Sequence, residues 1–129
     1  MPLIRIEIDV NSARSRLQLV ETTLKFIATI DQKQFPSHAN KEYYDVIREL
    51  LLAHLAKKGW QCTNQLLLPL YAEEHFQKFK ENAKTIKELF ILKQHIHEIK
   101  QEQISSFLKK NEVILQQSIA QFKEKLHEE

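Results

Sequence analysis

The strongest constraint on how this chain can fold is its single glycine, Gly59, in a sequence of 129 residues with three prolines. Tight turns between short β-strands depend on glycine, because glycine adopts positive φ angles without steric cost. One glycine leaves few places to connect many strands, so long helices are favoured. Hydrophobic residues make up 43% of the sequence and charged residues 28%, which is typical of a globular domain. The sequence predicts an all-α fold, an up-and-down helical bundle of about five helices with a short extended N-terminal arm.

The first ten residues have a different pattern from the rest of the chain. The stretch "LIRIEIDV" alternates apolar and charged side chains, which is the period of a strand with one buried face. We expect residues 1–10 to form an extended arm or strand and residues 11–129 to form a single helical-bundle domain. A lone strand needs a partner. The arm docks on the helices, which is the favoured arrangement, or it pairs with a copy of itself or with another protein's sheet edge.

Five helical segments are predicted after the arm, with expected bounds of residues 12–32, 40–58, 66–79, 84–101 and 106–127. For the second helix, Asn40 is a suitable N-cap and Gly59 a suitable left-handed terminator. Pro69 lacks a backbone N–H and should kink or split the third helix. Ser105 or Ser106 would cap the fifth helix; alternatively, the fourth and fifth helices form one long rod. Aromatic side chains at helical spacing are expected in the core: Trp60, Phe76, Phe79 and Phe90.

The charge balance and the single cysteine restrict the class of partner and the compartment. The formal net charge is +2, from 19 basic and 17 acidic residues, and this balance does not by itself indicate a nucleic-acid or membrane surface. Cys62 has no second cysteine to pair with, which fits a reducing compartment, and we interpret it as structural rather than nucleophilic. We expect a cytoplasmic protein without a leader or membrane anchor, because no apolar run approaches the roughly 20 residues that span a bilayer.

The stretch "LFILKQHIHEIKQEQ", residues 89–103, threads histidine, lysine and glutamate through an apolar helical pattern. On a helix, His95 and His97 fall on opposite sides of the buried stripe, so they cannot share one metal ion, which requires donors three or four residues apart. We therefore predict neither a metal site nor a cofactor. His97 shares a helix face with Lys93 and Lys100, a setting in which a phosphate can bind and an imidazole can act as general base. The alternative is that these residues form the half-exposed boundary of an amphipathic helix.

The second helix carries another pair of candidates, Arg48 and His54. They lie six residues apart, roughly 120° around a helix, so their side chains diverge. His54 lies in the apolar face, and we interpret it as a core histidine hydrogen-bonded to a neighbouring helix. Arg48 is expected to pair with Asp45, three residues earlier. A phosphate-binding loop is excluded, because one glycine cannot form it.

The order of the helical segments is similar to that of a known family. The chain has, in order, "SARSRLQLVETTLKFI", "KEYYDVIRELLLAHLAKKGW", a shorter leucine-rich segment, "KELFILKQHIHEI" and "ISSFLKKNEVI". This arrangement resembles the small prokaryotic HEPN domains (higher eukaryotes and prokaryotes nucleotide-binding), whose archaeal-type members similarly end the second helix in lysine, glycine and an aromatic residue. The resemblance covers most of the chain after about residue 11.

The resemblance implies an up-and-down bundle, often a homodimer, often in toxin–antitoxin or RNA-defence settings and sometimes beside a nucleotidyltransferase. Active members are metal-independent ribonucleases that carry an arginine, a polar residue, a short spacer and a histidine late in the bundle. This chain has no arginine in its second half. The nearest substitute there is Lys93 with His95 and His97, although lysine lacks the planar fork of arginine. Arg48 and His54 match the spacing, but in the second helix.

Three functions are left open. The leading hypothesis is a HEPN-like bundle that acts mainly by binding, as a toxin–antitoxin or RNA-associated module with a degenerate catalytic motif. It would form a homodimer, and a nucleotidyltransferase, an antitoxin protein and RNA are its candidate partners. The second is a metal-independent endoribonuclease in which His97 or His95 is the general base and Lys93 stabilises the phosphate. The third is a structural or assembly protein without an RNA role that uses the strand of residues 4–10 and the charged face of the fifth helix.

Overall fold

In a computed structural model, the chain is described over residues 3–75 and 80–128. The elements there are β1 (Leu3–Arg5), α1 (Val10–Ile27), α2 (Pro36–Lys58), β2 (Trp60–Cys62), a short 3-10 turn (Gln65–Leu67), α3 (Leu68–His75), α4 (Lys80–Gln94) and α5 (Gln101–Glu128). The prediction of an all-α helical bundle with a short N-terminal arm is confirmed. Phe76 and Phe79, predicted to be core residues, lie outside the described residues.

Helix α2 is the centre of the bundle, because buried side chains lie along its whole length. Helix α1 runs in the opposite direction, since the Asp9 N–H at its start donates to Ala56 O near the end of α2 over 2.9 Å. Helix α5 runs parallel to α2, since both end together, where Lys57 Nζ donates to Leu126 O over 2.6 Å. The two long helices α1 and α5 therefore pack against α2 in opposite directions.

Helices α4 and α5 form an antiparallel pair beside α2. Thr85 Oγ1 donates to Asn111 Oδ1 over 3.2 Å between the two helices, and the rings of Tyr44 on α2 and Phe90 on α4 meet edge to face with centroids 4.7 Å apart. Buried apolar side chains from all five helices and β2 form one core cluster. Within the described residues, we find no helix whose length and apolar character suit a bilayer crossing.

Helix α1 begins earlier and ends earlier than predicted. It begins at Val10, because the Asp9 carboxylate accepts the Ser12 N–H over 2.8 Å as an N-cap. It ends at Ile27 rather than near residue 32. The carboxylate of Asp31 accepts two backbone N–H groups that follow it, and this local turn competes with further helix.

Helix α2 begins one turn earlier than predicted. Its first residue is Pro36, whose fixed φ suits the first helical position, and the N-cap Phe35 supplies no side-chain hydrogen bond. The prediction of Asn40 as N-cap is wrong, because Asn40 lies inside the helix and is fully buried. The prediction of Gly59 as terminator is confirmed, since Gly59 is left-handed with a φ of 80°.

The later helices also depart from their predicted bounds. The segment predicted as the third helix is divided just before Pro69: the 3-10 turn Gln65–Leu67 is followed by α3, in which Pro69 is the second residue, where no intrahelical N–H is needed. Helix α4 ends at Gln94 and α5 begins at Gln101, so the two are separate helices and not one rod. Ser105 and Ser106 lie inside α5, so their predicted role as its cap is wrong.

Candidate functional site

His95 and His97 lie in the turn between α4 and α5 and not on a helix. The Glu98 N–H donates to His95 O over 2.9 Å, which tightens this turn. The prediction that the two imidazoles flank a helical stripe is therefore wrong, because α4 has already ended at Gln94. Both side chains are exposed, so a large ligand can reach either ring.

One of these imidazoles has an acidic partner. His95 Nδ1 lies 3.2 Å from Glu98 Oε2, and the side chains are 48% and 77% exposed. In the tautomer that donates from Nδ1, the contact fixes the ring and leaves Nε2 as an acceptor. A carboxylate that orients an imidazole in this way is one part of a general-base arrangement. An ion pair this exposed adds little stability, so its main effect is on orientation.

Lys93 and Arg48 are distant in sequence but meet at the ring of Tyr44. Lys93 Nζ lies 5.2 Å and Arg48 Cζ 5.5 Å from the ring centroid, distances at which a cation is attracted to an aromatic face. Arg48 also contacts Asp45 at 3.5 Å and Glu49 at 3.2 Å, so the predicted pairing with Asp45 is confirmed. Two carboxylates therefore compensate the guanidinium charge.

His54 points into the core, away from Arg48. It is fully buried, and its Nε2 lies 3.0 Å from Phe122 O on α5. The prediction of a core histidine hydrogen-bonded to a neighbouring helix is confirmed. Because the ring has no exposed surface, contact with a substrate would require local unfolding. The structure thus brings Arg48 together with Lys93 and separates it from His54.

Other concave or reactive groups in the described part of the chain are small or already bonded. A half-open cleft of about 220 Å³ lies between α1 and α2, below the roughly 300–1,000 Å³ of ligand pockets. Two charges in its lining pair with each other, Lys41 with Asp45 at 3.4 Å. Cys62 is buried and its Sγ donates to Asn64 O over 3.1 Å. Within residues 3–75 and 80–128, no three metal-binding side chains are placed to hold an ion.

The N-terminal arm, residues 3–9, is the remaining candidate. β1 pairs antiparallel with β2, with Leu3 opposite Cys62. The same register continues past the strands, where the Ile6 N–H donates to Gly59 O over 2.9 Å. The arm therefore lies against β2 and the end of α2, a combination of strand pairing and helix docking. The predicted alternative, in which the arm pairs with a copy of itself or with another protein's sheet edge, would use the other edge of β1, which points away from β2.

The alternating apolar side chains of the arm are exposed, so the prediction that they form a buried face is wrong. The exposed fractions are 52% for Ile4, 36% for Ile6, 63% for Ile8 and 48% for Val10, the first residue of α1. Leu3, which directly precedes the first of these exposed positions, packs against the core instead. The sheet of two strands is covered on the side of Leu3 and Cys62, so the isoleucines are left outside.

The sequence analysis did not predict β2, which holds the arm in place. β2 is only three residues long, too short for a recognisable period. The available signal was its position after Gly59, where the left-handed residue ends α2 and reverses the chain toward the arm.

Comparison of the chain with protein-family models, with curated proteins and with solved structures gives no match. The function is therefore inferred from the contacts, exposure and charges of the residues described above.

Proposed function

We propose that this protein is an interaction module: a helical bundle that binds another protein chain along its N-terminal arm. The observation that carries the proposal is the exposure of Ile4, Ile6 and Ile8 on a segment that is paired along one edge only. This is the assembly function among the three hypotheses drawn from the sequence.

The isoleucines supply apolar surface for association. Fully burying one isoleucine side chain contributes about 1.5–3 kcal/mol relative to leaving it in water. Ile4 and Ile8 are 52% and 63% exposed, so each keeps roughly half of that contribution for a partner. Single exposed apolar residues are common on protein surfaces. Three at a spacing of two form a continuous row along one side of the arm, and such a row is typical of an interface.

The backbone supplies a second recognition element. In an antiparallel ladder, successive residues direct their N–H and C=O groups to alternate edges. Because the Ile6 N–H bonds Gly59 O, the backbone N–H and C=O groups of Ile4 and Ile6 point toward β2. Leu3 and Arg5 therefore present their backbone groups to the opposite edge. An edge of this kind pairs readily with a strand from another chain.

Photo-crosslinking in the native cells tests the proposal. Ile4 and Ile8 would each be replaced by p-benzoylphenylalanine, with Val113 as matched control. Val113 is also apolar and 68% exposed, but lies on α5. We expect protein adducts after irradiation at both arm positions and none at Val113. Adducts at all three positions, or at Val113 alone, would contradict a binding site on the arm.

The mass of the adduct identifies the class of partner. A second copy of the chain would give twice the monomer mass. The resemblance to HEPN domains suggests an antitoxin or a nucleotidyltransferase as other occupants, and either would give an adduct of different mass. All of these outcomes are compatible with an interaction module, whereas an unmodified protein at every arm position would refute it.

A metal-independent ribonuclease is the second candidate, favoured by the contact of 3.2 Å between His95 and Glu98. His95 would act as general base toward a ribose 2′-hydroxyl, oriented by Glu98, and Lys93 would attract the phosphate. Purified protein would be incubated with mixed RNA and a metal chelator. Cleavage that is lost in His95→Ala and reduced in Glu98→Gln supports this role. Cleavage lost only in His97→Ala would assign the role of general base to His97 instead. Intact RNA with every variant and with the unmodified chain would exclude the ribonuclease function.

A further inference from the structure

A half-open cleft of about 270 Å³ lies where the arm, α1, the end of α2 and β2 meet. We propose that this cleft binds a small carboxylic acid whose apolar body is about the size of a single ring. This site goes beyond the interaction module and does not depend on it. Ile6 and Asp9 of the arm line the cleft, so the docked position of the arm completes the site.

The volume of the cleft suits a ligand smaller than a typical drug. Pockets for drug-sized molecules range from roughly 300 to 1,000 Å³, whereas an apolar cavity of about 150 Å³ is enough to hold benzene. A cleft of about 270 Å³ therefore holds a ring with a short polar chain. The cleft between α1 and α2 is of similar size, but there Lys41 and Asp45 pair with each other.

The deepest part of the cleft is apolar. Leu52, Ala56 and Cys62 line it and are buried, so they form its floor. The half-buried Trp60 adds an aromatic wall. Arg5 does not line the cleft, and its Cζ lies 4.9 Å from the centroid of the Trp60 ring, so it holds the indole from outside. A ring that enters the cleft leaves water and contacts these apolar and aromatic groups.

The more accessible part of the lining carries hydrogen-bond donors. Arg16 supplies a positive charge there, and its side chain is 35% exposed. One of its nitrogens, NH1, donates to Glu49 Oε2 over 2.6 Å. A guanidinium group has five N–H donors in a planar fork that matches a carboxylate, so Arg16 retains donors for a ligand. The other donor side chains of the lining are Ser12, Gln61 and Gln65.

The charges around the cleft favour an anion over a cation. Glu49 does not neutralise Arg16 alone, because its other carboxylate oxygen accepts from Arg48 over 3.2 Å. The carboxylate of Asp9 is already compensated: Oδ1 accepts the Ser12 N–H over 2.8 Å at the positive end of the α1 dipole. A ligand ammonium would compete with this helix cap, whereas a ligand carboxylate meets the remaining donors of Arg16. The apolar floor and the guanidinium together define the ligand class.

A set of probes with the same body tests this preference: 3-phenylpropanoate, 3-phenylpropanamide and 3-phenylpropylamine. Trp60 is the only tryptophan in the sequence, so its fluorescence reports occupation of the cleft. We expect a saturable change in fluorescence with the acid. The affinity for the acid should be about tenfold higher than for the amide or the amine, because hydrogen bonds between charged groups are stronger than neutral ones.

Substitutions on α1 test the role of Arg16. In Arg16→Gln the affinity for the acid should fall to that for the amide, whereas Arg16→Lys keeps the charge and should retain a preference for the acid. Arg14 is exposed on α1 and does not line the cleft, so Arg14→Gln is the matched control and should bind as the unmodified chain does. Circular dichroism verifies that each variant is folded.

Several results would overturn the carboxylate site. These are no saturable change with any probe, equal affinity of the unmodified chain for acid and amide, and a preference for the acid that survives in Arg16→Gln. A higher affinity for the amine would also overturn it and would assign charge recognition to Asp9. If Arg16→Gln does not fold, the comparison of the probes on the unmodified chain and on Arg16→Lys decides.

Discussion

Replacing His54 with alanine gives a direct measure of how α2 and α5 are held together. The side chain is fully buried, its Nε2 lies 3.0 Å from Phe122 O, and its ring meets the Phe122 ring edge to face at 6.4 Å. Loss of the hydrogen bond costs about 0.5–1.5 kcal/mol. Removal of the ring leaves a cavity, and truncation of large core side chains to alanine costs about 2–5 kcal/mol. Because imidazole is smaller than phenyl, we expect a total loss of roughly 3 kcal/mol.

Denaturant unfolding, followed by circular dichroism, measures this loss. The denaturant concentration at the midpoint of unfolding should fall. The slope of the free energy of unfolding against denaturant concentration should stay constant, because the surface exposed on unfolding hardly changes. In a thermal scan, a loss of this size corresponds to a melting temperature lower by roughly 10 °C for a domain of this length. His54→Gln should lose less, because its amide retains an N–H donor for the Phe122 carbonyl.

The matched control is His95→Ala, which removes the same side chain from an exposed position. Its effect should stay within about 0.5 kcal/mol. If His54→Ala loses less than about 1 kcal/mol, or no more than His95→Ala, the buried contact with Phe122 does not hold α5 to α2 and the helix packing described above is wrong.

Two further predictions concern Gly59 and Tyr43. Gly59→Ala forces a side chain into a left-handed conformation and places its Cβ 2.9 Å from Ile6 O. It should cost about 1–2 kcal/mol or more in urea unfolding and accelerate hydrogen exchange of the Ile6 N–H, and unchanged exchange would contradict the arm's contact. Burial raises the pKa of the Tyr43 phenol above 10.0, although the hydrogen bond with Gln116 opposes the shift. The unfolded phenol therefore loses its proton first, so the stability contributed by Tyr43 is complete below pH 10 and declines as the pH rises above it. The free energy of unfolding, measured at increasing pH, should therefore decline less steeply for Tyr43→Phe than for the unmodified chain.

The features that the sequence predicted correctly depend on local physical rules. Gly59 ends α2 because only glycine takes a φ of 80° without strain. His54 is a core residue because its position relative to the apolar face fixes which side of α2 it occupies. Arg48 and Asp45 pair because a spacing of three places them side by side on any helix. Such statements are independent of how the helices pack.

The helix ends were predicted less well, because tertiary contacts decide between competing signals. Asn40 has a good N-cap side chain, but α2 begins at Pro36, and its first turn is held to the start of α5 by a hydrogen bond of 2.7 Å from Gln101 Nε2 to Ser37 Oγ. The end of α4 at Gln94 has no glycine or proline to mark it. The meeting of Lys93 and Arg48 at Tyr44 likewise depends on the packing of α4 against α2. The Gln101–Ser37 and Lys93–Tyr44 contacts each join residues that are distant in sequence.

The arm shows a different limit of sequence patterns. Alternation with a period of two indicates that every second side chain lies on the same side of a strand. It does not indicate which of the two sides is buried. In this chain the covered side carries Leu3, while Ile4 and Ile8 face outward. Natural sequences are usually consistent between local pattern and global burial, and departures concentrate at functional positions. The exposed isoleucines are such a departure, which is why the arm and not the histidine turn carries the proposed function.

Asn40 is a second departure, and it leads to a prediction with an unusual sign. It is fully buried, and within the described residues neither amide atom has a hydrogen-bond partner. An unbonded buried polar group costs about 1–3 kcal/mol, so Asn40→Leu, of similar size, should raise the free energy of unfolding by about 1–2 kcal/mol. Asn111 is the matched control: it is also buried, but its Nδ2 donates to Phe107 O over 2.9 Å, so Asn111→Leu should lower stability. Urea unfolding of both variants measures the two changes in the free energy of unfolding. A loss in both would show that the Asn40 amide is hydrogen-bonded in solution, whereas opposite signs would identify α2 as a helix that keeps an unfavourable core residue.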